Sequence, residues 1–222
     1  WSCSPSEQEL FDEGIKMMET EQYDKAIEFF DRTIEKNPAN TTALNAKGVA
    51  LFQQSKFDEA IVSFSASIAV DSTSYKPYFN RGNAYLEKKS YKEALLDYNT
   101  ANGLDPKQND IYYNRGLALL ALEQYEDAIF DFDVALQADP KNALAQFNKA
   151  KAQLGNNDPV SAINSLINTV NLDKQNGAAY YLLGVTQMSA FGQKEDGCAN
   201  LKLALSLGYA EAKTWIDDFC KE

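Results

Sequence analysis

One spacing constrains this chain more than any other feature: a period of 34 residues. Gly14, Gly48, Gly82, Gly116 and Gly184 stand on one ladder, and Ala150 fills the remaining rung. Twelve residues beyond the first five rungs come Ala26, Ala60, Ala94, Ala128 and Ala162. Four further on lies a large apolar residue: Phe30, Phe64, Tyr98, Phe132 and Leu166. An unbroken register over five or six units means stacked copies of one supersecondary unit. Repetition also explains how 222 residues run on without a Pro/Gly/Ser-rich linker, since such chains grow by adding units rather than by enlarging one core.

Each unit reads as two helices. In residues 109–142, Tyr112, Tyr113, Gly116, Leu119 and Leu120 form one helical stripe, and Leu122 to Tyr125 form a short turn. Ala128, Ile129, Phe132, Ala135 and Leu136 form a second stripe at helical spacing. Asp139-Pro140 stops it, because proline cannot continue a helix and restricts the residue before it. The same stop recurs at Asn37-Pro38 and Asp105-Pro106. Small residues such as Gly116 and Ala128 let the two helices approach, and Phe132 and its equivalents are expected to fill the gap toward the next unit. No unit buries its apolar face alone, so stability depends on neighbours.

Composition narrows the function. The formal net charge is −11, from 21 basic and 32 acidic residues, which argues against nucleic acid as the main partner and against docking of the body on an anionic membrane. The chain has no histidine, the commonest general base and metal ligand. Its three cysteines, Cys3, Cys198 and Cys220, lack CxxC spacing, so neither a metal nor a cofactor is expected. No apolar run approaches the roughly 18 residues that span a bilayer. Acidic residues are plentiful, but none forms a pair distinguishable from solvated helix faces, so no catalytic activity is expected.

These residues resemble the tetratricopeptide (TPR) repeat. That pattern asks for an aromatic or Leu at repeat position 4, Gly or Ala at 8, an aromatic or Leu at 11, Ala at 20, an aromatic at 24, Ala at 27 and Pro at 32. Residues 75–108 supply Tyr78, Gly82, Tyr85, Ala94, Tyr98, Ala101 and Pro106. Residues 109–142 supply Tyr112, Gly116, Leu119, Ala128, Phe132, Ala135 and Pro140. The resemblance implies an all-α, right-handed α-α superhelix (a TPR solenoid), with a concave groove that holds a peptide or protein and no catalysis. Six helix pairs are expected, at about 7–40, 41–74, 75–108, 109–142, 143–176 and 177–208, after a flexible tail at 1–6. Ala212, Trp215, Ile216, Phe219 and Cys220 then form one apolar face, expected as a capping helix within 209–222.

Departures from the pattern are local. Ser67 and Ser72 stand where Ala and Pro are usual, and Gln146, Gln153 and Thr169 stand at apolar or small positions. Pro159 opens a second helix, and the last pair needs one extra turn residue around Phe191 to Glu195, with Gly197 in the place of the small residue.

The family's groove is lined by positions 2, 5, 6, 9 and 12 of each first helix. Position 5 gives Phe11, Asn45, Phe79, Tyr113, Phe147 and Tyr181, and beside it stand Asn80, Asn114 and Asn148, with Asn83 one turn beyond Phe79. Leu117 and Lys151 occupy position 9. Aromatics supply apolar area at little entropy cost, and Asn can grip an extended backbone by donor and acceptor at once. The candidate ligand-binding residues are therefore Phe79, Asn80, Asn83, Tyr113, Asn114, Leu117, Phe147, Asn148, Lys151 and Tyr181. The family's carboxylate clamp is not visible, because Phe79 or Tyr113 stands where its first Lys belongs and Lys76 and Lys151 are isolated. Arg81, Arg115 and Lys149 form a cationic row at one-unit spacing. It can serve an acidic ligand or pair with neighbouring carboxylates, and pairing is the expectation.

Cys198 stands where other units hold Ile27, Ile61, Leu95, Ile129 and Ile163, and Cys220 lies on the apolar face of the cap. If the cap folds back on the last pair the two meet, either as a disulfide or as two packed thiols. Cys3 follows Ser2 and precedes a polar tether, which resembles the end of a bacterial lipoprotein signal; the alternatives are lipidation and an inert thiol. A Cys-bearing last repeat with a Cys-bearing cap is also similar to TPR proteins of Gram-negative cell envelopes. The resulting expectation is a non-enzymatic scaffold or adaptor for a protein or peptide, with no nucleic acid and with membrane contact only through a lipid at Cys3. Its expected place is the bacterial envelope, as a periplasm-facing or surface lipoprotein, and otherwise the cytoplasm. The alternative is a self-associating component of an envelope assembly or secretion complex.

Overall fold

The computed structural model describes residues 4–221, so Cys3 lies outside the described residues. Among them are thirteen α-helices and no strand. In chain order they are α1 (Glu7–Glu19), α2 (Tyr23–Lys36), α3 (Thr41–Gln53), α4 (Phe57–Val70), α5 (Tyr75–Glu87), α6 (Tyr91–Leu104) and α7 (Asn109–Ala121). Then follow α8 (Tyr125–Ala138), α9 (Ala143–Gly155), α10 (Pro159–Leu172), α11 (Gly177–Phe191), α12 (Lys194–Ser206) and α13 (Ala212–Phe219). No described helix is long and apolar enough to cross a membrane. The chain forms two compact units, 1–118 and 119–222.

Local chemistry sets the helix ends. Ser6 caps α1 in a reciprocal box: its hydroxyl accepts from Glu9 N at 3.2 Å, and its own N–H donates to Glu9 Oε2 at 2.7 Å. Asn40, Asn142 and Asn176 cap α3, α9 and α11 by accepting from Ala43, Ala145 and Ala179 N at 2.8–2.9 Å. Between the helices of the first five pairs one residue that is not glycine takes the left-handed conformation: Glu21, Ser55, Lys89, Glu123 and Asn157 have φ of 57–60°. At the end of each of the first five pairs Asn37, Asp71, Asp105, Asp139 or Asp173 accepts the N–H two residues on. This side-chain turn works at Asp71-Ser72 as well as at Asp105-Pro106, so the missing proline at Ser72 costs the chain no bend.

In the first unit α1 packs on α2, α3 on α4 and α5 on α6, while α2 joins α3 and α4 joins α5. First helices also touch each other, α1 with α3 and α3 with α5. The large residue has two contacts. Phe30 reaches Ala50 of the next pair, Phe64 reaches Ala84, and Tyr98 reaches Ile111 and Ala118, as expected. Each ring also lies on the glycine of its own pair. A Cβ on Gly14 would stand 2.5 Å from Phe30 Cε1, on Gly48 2.5 Å from Phe64 Cε1, and on Gly82 2.8 Å from Tyr98 Cε1. So these glycines make room for a ring. Ala50, Ala84 and Ala118, all fully buried, form a further small-residue ladder that receives the ring from the preceding pair.

In the second unit α9 packs on α10 and α11 on α12, with α8 joined to α9 and α10 to α11. The polar departures satisfy one another: buried Ser165 Oγ donates to buried Gln153 Oε1 at 2.8 Å, and Thr169 Oγ1 donates to Ser165 O at 2.8 Å. In the first unit Ser67 Oγ likewise donates to Thr41 O at 2.9 Å. The extra residue of the last pair is taken up inside the helix: α11 is 15 residues long where α9 has 13, and Gly192 at φ 65° makes the turn. There the helices approach backbone to backbone, with a Cβ on Gly184 set to meet Gly197 O at 2.7 Å.

The cap departs from expectation in one respect. Ala212 is buried, and Trp215, Ile216 and Cys220 pack against the terminal core of Tyr180, Leu183, Leu201 and Ala204. Phe219, expected on the buried stripe, is 50% exposed. The helix is only eight residues long, and Phe219 leans on the Trp215 ring, 5.1 Å between centroids, instead of entering the core. Cys198 and Cys220 are joined as a disulfide, with Cα atoms 5.7 Å apart, which ties α12 to the end of α13.

Candidate functional site

The first-helix face of the first unit carries Asn45 on α3, Phe79, Asn80 and Asn83 on α5, and Tyr113, Asn114 and Leu117 on α7. All are half-buried. Phe79 is partly structural, its ring 6.1 Å from that of Tyr98. The asparagines form a bonded relay across successive first helices. Asn80 Nδ2 donates to Asn45 Oδ1 at 3.0 Å, and Asn114 Nδ2 donates to Asn83 Oδ1 at 3.1 Å. Asn83 Oδ1 also accepts from the hydroxyl of fully buried Tyr98 at 2.8 Å. Burial pushes the Tyr98 hydroxyl far above the ordinary phenol value, so it stays a neutral donor. Each amide has two donor hydrogens and a two-lone-pair oxygen, so these bonds orient the side chains without exhausting them.

Two of the cavities on this unit are lined by residues of its first helices. One, about 140 Å³, is lined by Val49, Phe52, Gln53 and Phe64 together with Asn80 and Asn83. The other, about 230 Å³, is polar, lined by Thr41, Thr42, Asn45, Ser67, Asp71, Ser74, Lys76 and Pro77. Thr73 N and Oγ1 both donate to Asp71 Oδ1, which holds that carboxyl below its ordinary value. Val49, Phe52 and Gln53 were not among the candidates read from the sequence. Asn45, the one position-5 residue that is not aromatic, lines the polar cavity and not the one beside Val49.

In the second unit Phe147, Asn148 and Lys151 lie on α9 and Tyr181 on α11. Phe147 and Tyr181 both pack on the terminal core. Lys151 Nζ lies over the Phe147 ring, 5.8 Å from its centroid, and Asn148 Nδ2 donates to Leu144 O at 3.0 Å. Tyr181 is covered by Tyr209, 4.9 Å between ring centroids.

The cationic row is drawn onto the second helices. Lys47 pairs with Asp31 at 2.6 Å and Lys149 with Asp133 at 2.5 Å. Arg81 binds buried Asp97 with two contacts of 2.8 Å and Ser65 with one of 2.9 Å. The Asp97 hydrogen bonds raise the Arg81 guanidinium above even its usual high value, so this fork is a fixed charge pair. Arg115 donates to Asn99 Oδ1 at 3.1 Å and lies over Tyr112. Among the described residues no group of three or more His, Cys, Asp or Glu side chains converges as a metal site.

Comparison with known proteins agrees with this geometry. Family models described as TPR repeat match residues 48–89 and 82–123, and one described as tetratricopeptide repeat matches 110–142. No curated protein matches the chain. Among solved structures, YrrB, a TPR protein with an unusual peptide-binding site, superposes with a TM-score of 0.73 at 22% identity, covering 80% of this chain and 91% of its own. A tetratricopeptide repeat protein from Parabacteroides merdae gives 0.70 at 20% identity, covering 97% and 99%. MamA from Desulfovibrio magneticus gives 0.72 at 18% identity, covering 77% and 96%. At these identities the structures share the fold, an all-α repeat architecture of the tetratricopeptide type, and no catalytic family is indicated. Together the matches support a TPR protein.

Proposed function

We propose that this protein is a non-enzymatic scaffold that holds a peptide or protein segment on its first-helix faces. The observation that carries the reading is the relay Asn45–Asn80 and Asn83–Asn114: half-exposed amides, oriented by their own bonds, beside half-buried Phe79, Tyr113 and Leu117. Apolar burial next to fixed amides is what an extended backbone with bulky side chains requires. Repeat surfaces of this architecture are commonly used for binding, and YrrB carries a peptide-binding site on the same fold.

The reading extends to the cell. A structural disulfide between Cys198 and Cys220 belongs to an oxidising compartment. Together with the lipoprotein-like Ser2-Cys3, it supports an adaptor lipidated at Cys3 on the outward side of a bacterial membrane. Replacing Tyr113 and Asn114 by Ala should leave the helical signal intact and abolish partner capture from the source cell. Capture that persists would move the binding face elsewhere. Intact-mass measurement of the native protein checks Cys3, where an unmodified thiol would remove the anchor.

A further inference from the structure

We propose that the seam between α3 and α5 reads one aliphatic residue of an extended peptide: its side chain enters the cavity of Val49, Phe52 and Phe64, and its backbone edge lies across Asn80 and Asn83. This rests on the peptide-binding reading above and adds what the ligand must carry.

The internal bonds fix both amides. Asn80 spends a donor on Asn45 Oδ1 at 3.0 Å, so its Oδ1 is left to accept. Asn83 Oδ1 takes two hydrogens, from Tyr98 at 2.8 Å and Asn114 at 3.1 Å, so its Nδ2 is left to donate. One turn of α5 therefore offers the cavity an acceptor followed by a donor. An extended peptide edge presents the complement, N–H and C=O, with its side chains roughly perpendicular to that edge. The cavity beside the two amides is floored by buried Phe64 and walled by half-buried Val49 and Phe52. Its volume of about 140 Å³ is close to that of an apolar cavity that takes one benzene, so one Leu, Ile, Val or Met side chain is the fitting occupant. A charged side chain would lose its hydration there.

The combination occurs at one place in the chain. The corresponding pairs on the other first helices are Asp12/Ile15, Ala46/Val49, Asn114/Leu117, Asn148/Lys151 and Leu182/Val185, none of which carries two amides.

Random dodecapeptides displayed on phage and selected on the immobilised full chain test the proposal, with selected peptides then labelled for fluorescence anisotropy. The expected result is one Leu, Ile, Val or Met at a fixed position, whose change to Ala weakens binding about ten-fold or more. Val49→Phe, which fills the cavity from its wall, should do the same. Gln53→Trp covers the mouth from an exposed residue, so it gives the same readout if Val49→Phe harms folding. Selected peptides with no shared aliphatic residue, or binding that survives both variants, overturn the proposal. If Tyr113→Ala with Asn114→Ala still abolishes that binding, the wider first-helix reading stands. No enrichment, or binding indifferent to every variant, overturns both.

Discussion

Replacing Gly48 by Ala tests why the glycine ladder exists. In an ordinary helix interior the change is favourable by about 0.8–1.0 kcal/mol, because Ala has the higher helix propensity. Gly48 is not in ordinary surroundings: an added Cβ would meet Phe64 at 2.5, 2.6 and 2.9 Å. Phe64 is 1% exposed and packed among Leu51, Ala60 and Ala84, so it has little room to move away. Overpacking of this kind costs about 1–3 kcal/mol, which gives a net change from roughly neutral to a loss of about 2. Gly103 supplies the control, since a Cβ there meets nothing within 4 Å, and Gly103→Ala should stabilise by up to about 1 kcal/mol. The chain also contains the compensated pair, Ala150 with Leu166. Gly48→Ala combined with Phe64→Leu should therefore be less damaging than the sum of the single changes. Urea unfolding followed by circular dichroism measures all four variants. If Gly48→Ala stabilises as much as Gly103→Ala, and the double variant is additive within about 0.5 kcal/mol, the steric account is wrong.

Three further outcomes follow from the same coordinates. Reducing the Cys198–Cys220 bond, which closes a separation of 22 residues, should remove about 3 kcal/mol from the terminal pair in the chain-entropy model, read as loss of Trp215 fluorescence structure in a Trp1→Phe background. Asp97→Ala strands the Arg81 guanidinium in a largely buried site and should cost about 3 kcal/mol, whereas Asp58→Ala, which removes an exposed partner of Lys88, should stay within about 0.5 in the same unfolding assay. Glu9, Asp71 and Asp158 are held below their ordinary values of 4.5, 3.8 and 3.8, by hydrogen bonds from Ser6, Thr73 and Ser161 respectively. Their contribution is full above those values and is lost as pH falls through the lower folded ones, so the protection of the Ser6, Thr73 and Ser161 amide hydrogens against exchange, taken relative to the intrinsic rate at each pH, should fall in that acid window and not near neutrality.

The repeat was legible because stacking copies forces the same steric solution at the same interval. Small residues at Gly82 and Ala94 and a large apolar residue at Tyr98 recur where the two helices of a pair cross, and a period of that kind survives in a single sequence. The helix stops were legible for a similar reason, although the working part of the stop is the Asp71 or Asp105 side chain and not the proline after it. What the sequence could not settle is which of several allowed partners each side chain takes. Asn80 and Asn83 read equally well as ligand-gripping groups and as links between helices, and only their packing shows that one atom of each amide is committed to a neighbour. Phe219 fits the apolar stripe of its helix, yet stays half exposed because the helix ends before the core can cover it. The cavity of Val49, Phe52 and Phe64 belongs to no motif: it arises where residues of α3, a buried phenylalanine of α4 and two asparagines of α5 meet. Periodicity fixes what repeats, because each copy solves the same packing problem. The particular surface is decided by the residues that break the period, and their effect exists only once neighbouring helices are in place.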